Sequence, residues 1–179
     1  MSVRRIVLTG GECTGKTELA RALAERHETL WVTEAAREAA LAKNGPLGPE
    51  DVEPIARAHV AAADAALREA ARRERPAVFF DQDLLSTVVY ARHYYGDCPR
   101  WIPRLAAERL GDLYLLCHPD LPWLPDRARD RGERRDEMHA LFGAALAEAG
   151  AHVVDVTGIG EEREERAEAA VAKLLARGA

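Results

Sequence analysis

Eight residues near the start of the chain, Gly10-Gly11-Glu12-Cys13-Thr14-Gly15-Lys16-Thr17, constrain the fold most strongly. They fit the pattern G-x-x-x-x-G-K-[ST], which cradles phosphate when it joins a strand to a helix. The context is right for that. Arg4 to Thr9 carries an Ile6-Val7-Leu8 core that predicts a buried strand, and Glu18 to Arg26 is rich in strong helix formers. Gly10 and Gly15 permit backbone angles and close approaches that a Cβ hinders. Successive amide N–H groups, reinforced by the positive end of the helix, then converge on an anion. In such a loop Lys16 reaches the β- and γ-phosphates of ATP, and the Thr17 hydroxyl sits on Mg²⁺. Gly10, Gly11, Glu12, Cys13, Thr14, Gly15, Lys16 and Thr17 are therefore the expected nucleotide-binding residues.

Short apolar runs alternate with helical segments along the rest of the chain. Strands are predicted at residues 30–33, 77–80, 113–117 and 152–156, and helices at about 34–42, 50–74, 84–95, 100–109, a stretch ending near 149, and 161–176. Asn44 to Pro49 and the proline-rich stretch from Pro119 to Pro125 break regular structure. Pro54 falls in the first turn of its helix, where a missing N–H is tolerated. Alternation of this kind predicts an α/β three-layer sandwich, a parallel five-stranded sheet with helices on both faces. At 179 residues the chain has length for one such domain, residues 1–179, and not for two ordinary ones.

Ligands of parallel sheets bind beyond the C-terminal strand ends. Thr9-Gly10, Glu34, Asp81 and Asp83, His118, and Thr157-Gly158 lie at those ends and are expected to collect in one cleft. Asp81 closes an apolar strand in the manner of an acid that holds Mg²⁺ beside Thr17, or it caps the next helix. Asp83 is the better-placed cap, a ligand for substrate hydroxyls, or both. Glu34 and Arg37 offer a general base with a guanidinium that orients substrate, or an exposed i,i+3 ion pair. Arginines 127, 129, 131, 134 and 135 lie in a charged segment after the fourth strand. Arg127, Arg129 and Arg131 are candidates for a lid, spanning about residues 119–135, that neutralises a transferring phosphoryl group; the alternative is a solvated loop. His59 on a predicted helix is a packing or surface residue on spacing alone, and Trp101 and Trp123 stack on a ring or pack a core. Tyr90 and Tyr94 share a helix face, as core or pocket wall. The terminal helix carries charge on most of its surface, which reads as solvated.

Net charge is −5, which argues against a broad nucleic-acid footprint. The three cysteines form neither a zinc spacing nor a disulfide framework. No apolar run is long enough to span a bilayer and the first strand starts at once, so a soluble cytoplasmic protein is the expectation.

Taken together, these residues resemble the P-loop ribosylnicotinamide kinase domain of NadR-type NAD-biosynthesis proteins. The likeness rests on Gly-Gly-Glu-Cys-Thr-Gly-Lys-Thr, on Glu34-Ala-Ala-Arg37-Glu38, on Ile55-Ala56 with His59, on Phe80-Asp81-Gln82-Asp83 with Thr87, and on Pro122-Trp123-Leu124-Pro125-Asp126 with Arg129. It implies a nucleoside-kinase-like fold and ATP- and Mg²⁺-dependent phosphorylation of the ribose 5'-hydroxyl of nicotinamide riboside. It also implies catalytic parts for Lys16, Glu34, Asp81, Asp83 and the lid arginines, and substrate contacts for Glu34, Arg37, His59, Asp83, Trp123 and Asp126. Thr157 and Gly158 would lie against adenine, as the corresponding loop does in related kinases. Two positions depart from the pattern: Cys13 replaces a hydroxyl residue and Arg127 stands where glycine is typical. The adenylyltransferase and DNA-binding parts of longer members have no counterpart in this sequence, so only the kinase step is implied. A regulatory ATPase acting on a protein partner, a kinase for another hydroxyl compound, and a polynucleotide 5'-kinase are the competing functions; the acidic balance counts against the last.

Overall fold

The computed structural model describes residues 2–122 and 134–177. Within them five strands form one parallel sheet: β1 (Arg4–Thr9), β2 (Leu30–Val32), β3 (Ala77–Asp81), β4 (Leu113–Cys117) and β5 (Val153–Val156). Their spatial order is β2-β3-β1-β4-β5, and every neighbouring pair is parallel. The strand that carries the glycine-rich turn is thus central, with Ile6 opposite Phe79 on one side and Leu113 on the other.

Seven helices flank the sheet among the described residues: α1 (Lys16–Arg26), α2 (Ala35–Lys43), α3 (Val52–Arg72), α4 (Leu84–Tyr95), α5 (Trp101–Glu108), α6 (Arg135–Glu148) and α7 (Gly160–Ala176). The predicted elements are all present, with ends moved by at most two residues. The largest change is at α3, whose expected first turn is instead a separate 3-10 turn, Pro49–Asp51.

Alternation along each strand splits the core in two. Ile6, Leu8, Phe79, Leu113 and Leu115 face α1 and α7. Val7, Phe80, Tyr114 and Leu116 face the other way, toward α3, α4 and α6. Because strands buried on both faces need apolar residues throughout, β3 and β4 read as continuous hydrophobic runs. Each large side chain so buried contributes about 1.5–3 kcal/mol. Helix α3 buries Val52, Ile55, Ala56, His59, Ala63 and Ala70, a stripe at helical spacing. His59 therefore lies on the apolar face of α3.

The charged surface of the terminal helix is solvated as expected, with Arg163 the exception. Arg163, Ala167, Val171 and Leu174 of α7 are buried; only the rest of its surface is solvated. No described helix is long and apolar enough to cross a membrane.

Candidate active site

The turn after β1 closes around its own backbone. Gly10 has φ 128°, and a Cβ there would stand 2.7 Å from the Cys117 carbonyl oxygen of β4. Gly15 caps α1 in the left-handed region at φ 71°. Cys13, at φ 53°, holds a left-handed conformation without glycine's freedom. The Thr14 hydroxyl donates to the Gly11 carbonyl at 2.9 Å, and Lys16 Nζ donates to the same oxygen at 2.6 Å. Thr14 and Lys16 are both buried. The Lys16 ammonium is thus held against the loop that would receive a phosphate.

Thr17 Oγ1 donates to Asp81 Oδ2 at 2.5 Å. Asp81 is 1% exposed, and its Oδ1 is buried with no hydrogen-bond partner. Burial raises the pKa of this carboxyl, while Lys16 and the Thr17 hydroxyl oppose the shift. A hydroxyl beside a carboxylate oxygen that lacks a partner is an oxygen donor set that suits Mg²⁺.

Glu34, at the N-cap of α2, stands beyond the edge strand β2. Its residue surface is partly accessible, but the carboxyl group is desolvated. Burial first, then the charges of Asp81 and Glu12, lift its pKa from 4.5 to about 7, against the pull of Lys16 and Arg37. The charge of Arg37 acts on both Glu34 and Asp81. A cleft lined by Glu12, Tyr90, His93, Tyr94, Arg135 and Met138 opens beside the loop. The Tyr90 and Tyr94 rings are parallel, with centroids 5.9 Å apart. Burial, and then the charges of Glu34 and Glu12, raise the pKa of Tyr90 well above its ordinary value, so it stays a neutral phenol. The pair forms a pocket wall.

Three further residues hold the loop, a part assigned to none of them from the sequence. Gln82 adopts φ 72° and donates from Nε2 to the Gly10 carbonyl at 3.0 Å. Arg163 donates to the carbonyl oxygens of Thr14 at 2.6 Å, Gly158 at 3.0 Å and His118 at 3.2 Å. It joins the phosphate loop to the Thr157-Gly158 turn, where the Gly158 amide also donates to Asp120. Arg135 donates to the Cys13 carbonyl at 3.0 Å. One signal for Arg163 existed: a cation in the first turn of a helix opposes the macrodipole, so it needs another reason to be there.

Two expected members of the cleft lie elsewhere. Asp83 caps α4, accepting from the Ser86 amide at 3.2 Å, and its other oxygen accepts from the Tyr114 hydroxyl at 2.6 Å. It groups with Arg5, His59 and Arg109 around a small cavity and not with Lys16, Glu34 and Asp81. His59 is buried in that cluster with Nε2 unpartnered, and burial lowers its pKa. His118 also turns aside; its Nε2 pairs with Asp155 at 2.8 Å. Trp123, Asp126, Arg127, Arg129 and Arg131 lie outside the described residues.

A phosphate-binding loop on the central strand of a five-stranded parallel sheet, with an acid at the end of the adjoining strand, defines a P-loop kinase fold. Residues 5–163 match the AAA domain family, and the chain belongs to it. It is similar to the trifunctional NAD biosynthesis/regulator protein NadR of Escherichia coli (strain K12), with 28% identity over 152 residues. That match takes in 82% of this chain and 36% of the relative, so the chain spans about a third of the curated protein. A crystal structure of NadR in complex with NR superposes at TM-score 0.85 and 26% identity, over 98% of this chain and 52% of that one. NadR in complex with NAD and AMP-PNP gives TM-score 0.82 at 24% identity, over 98% and 50%. The thymidylate kinase of Ehrlichia chaffeensis shares the fold at TM-score 0.66 and 14% identity, over 97% and 99%.

Proposed function

We propose that this chain acts as a single kinase domain, in the cytoplasm, transferring the γ-phosphoryl group of ATP to the 5'-hydroxyl of nicotinamide riboside. The observation that carries this is Glu34: a desolvated carboxyl with a pKa near 7, electrostatically coupled to Lys16 and Asp81. Transfer to an alcohol calls for a group that takes the hydroxyl proton, and Glu34 supplies one beside Lys16 and Asp81. The choice of acceptor rests on the likeness to NadR, which has been crystallised with NR.

In this mechanism the loop amides and Lys16 hold the β- and γ-phosphates. Thr17 and Asp81 supply oxygen ligands for Mg²⁺, which when bound neutralises charge on the phosphates. Arg37 orients the acceptor, and the Tyr90–Tyr94 wall bounds it. The ribose 5'-oxygen attacks the γ-phosphorus as its proton passes to Glu34. The bond from that phosphorus to the β,γ-bridging oxygen breaks, and ADP and nicotinamide mononucleotide leave. Asp83 acts as a positioning residue for α4 and takes no part in the transfer. The net charge of −5 fits a small-molecule acceptor better than a nucleic acid.

An acceptor screen tests the proposal. Purified protein is incubated with ATP, Mg²⁺ and a panel of nucleosides, and products are read by mass. Nicotinamide riboside is expected to yield its monophosphate together with one ADP. Strong turnover of a different nucleoside with none of this one would move the assignment within the kinases. Slow hydrolysis that no hydroxyl compound accelerates would replace it with a regulatory ATPase.

A further inference from the structure

A second group of metal-ligating side chains lies outside the phosphate loop. His118 immediately follows β4, Asp155 is in β5, and His139 lies in the second turn of α6. One ring nitrogen from each histidine and one carboxylate oxygen lie within 4.8 Å of one another. His118 Nε2 and Asp155 Oδ1 are 2.8 Å apart, and the two imidazole rings, tilted 53° to one another, have centroids 4.1 Å apart. His139 Nδ1 is buried and has no hydrogen-bond partner.

Sheet register and helix packing set this arrangement. Leu116 pairs with Asp155, and the His118 amide donates to the Val156 carbonyl at 3.0 Å, which fixes two of the three residues. Met138 and Phe142 anchor α6 in the core, and His139 lies between them in the sequence. Packing does not explain why two imidazoles and a carboxylate converge here. Their chemistry does: two imidazole nitrogens and one carboxylate oxygen are a common protein ligand set for Zn²⁺.

We propose that His118, His139 and Asp155 bind a transition-metal dication of the zinc class, at a site separate from the Mg²⁺ position of Thr17 and Asp81. Tetrahedral zinc with bonds near 2.0–2.2 Å holds its ligands about 3.3 Å apart. The 2.8 Å pair therefore opens slightly while the His139 side chain moves in. The Asp155 side chain is 63% exposed, so water can take the fourth position. Imidazole donors select against Mg²⁺, which prefers oxygen. Bound metal would tie α6 to β4 and β5 next to Arg163, which holds the His118 carbonyl.

Cobalt titration of the tag-free full chain tests this, because tetrahedral Co²⁺ absorbs in the visible and Zn²⁺ displaces it. The expected result is saturation at one equivalent, reversal by chelator and bleaching by Zn²⁺. Asp155→Asn and His139→Ala should each weaken Co²⁺ binding by about tenfold or more. His152→Ala, on the exposed turn before β5, should leave it unchanged. Asp155 is exposed, so its variant keeps the fold and decides the matter if His139→Ala does not. No visible band at saturating Co²⁺, or a band that persists at full affinity in Asp155→Asn, would overturn the site.

Discussion

Thr17 Oγ1 donates to Asp81 Oδ2 across 2.5 Å, although 64 positions separate the two residues. The bond spans from the first turn of α1 to the last residue of β3 and preforms the two oxygens assigned to Mg²⁺. Thr17→Val is expected to lower Mg²⁺-dependent turnover by about a hundredfold, with metal-free nucleotide binding nearly intact. Steady-state rates across a Mg²⁺ series, beside a nucleotide titration in chelator, check this. Equal losses in both would mean the threonine serves the loop's structure and not the metal.

Glu34 should set the acid limb of the rate profile. A base must be ionised to accept a proton, so kcat/KM is expected to rise with pH through about 7. Stability moves the other way. Between pH 4.5 and about 7 the folded protein keeps a proton that the unfolded chain has released, so stability falls as pH rises across that window and levels off above it. Glu34→Gln should remove both slopes and lower kcat by about a hundredfold or more. An unchanged rate profile would eliminate Glu34 as the base.

Arg163 neutralises three backbone carbonyls from three different loops. Arg163→Ala leaves those oxygens without their donor, at an expected cost of about 2–4 kcal/mol. Nucleotide affinity should fall with it, because the Thr14 carbonyl belongs to the phosphate loop. Urea unfolding and nucleotide titration measure the two effects. Wild-type stability in the variant would show that water replaces the guanidinium.

Asp83 and Glu34 are separated by substitution. Asn caps a helix about as well as Asp, so Asp83→Asn should stay within about tenfold of normal turnover, far above Glu34→Gln. Tyr114→Phe removes the donor to Asp83 and should cost about 1–3 kcal/mol of stability with little change in rate. A collapse of kcat in Asp83→Asn at unchanged stability would return Asp83 to the catalytic set.

Sequence made the phosphate loop legible because its demands are local: two glycines, a lysine and a hydroxyl between a strand and a helix. Asp81 was legible for a related reason, as the first acid after an apolar strand. Asp83 was legible as the cap of α4, but not its separation from Asp81, because period-two logic puts residues 81 and 83 on one face of a strand. Gln82 adopts φ 72° and breaks that alternation. Asp81 consequently faces Thr17 and Asp83 faces Tyr114, on opposite sides of the sheet. Arg163 was hidden by distance, since its contact with Thr14 spans 149 positions and depends on how α7 settles on the sheet. The raised pKa of Glu34 arises from burial among charges drawn from three segments, which spacing cannot express.

The strand order has a consequence for how the molecule comes apart. The phosphate loop hangs from the middle strand, hydrogen-bonded on both sides, whereas Glu34 follows β2, a three-residue strand at the sheet's margin. Fraying begins at margins and reaches interior strands last. Under mild denaturant or warming, the two halves of the site should therefore fail in sequence. The acceptor side loosens first, leaving a protein that still grips nucleotide but has lost its partner for the transfer.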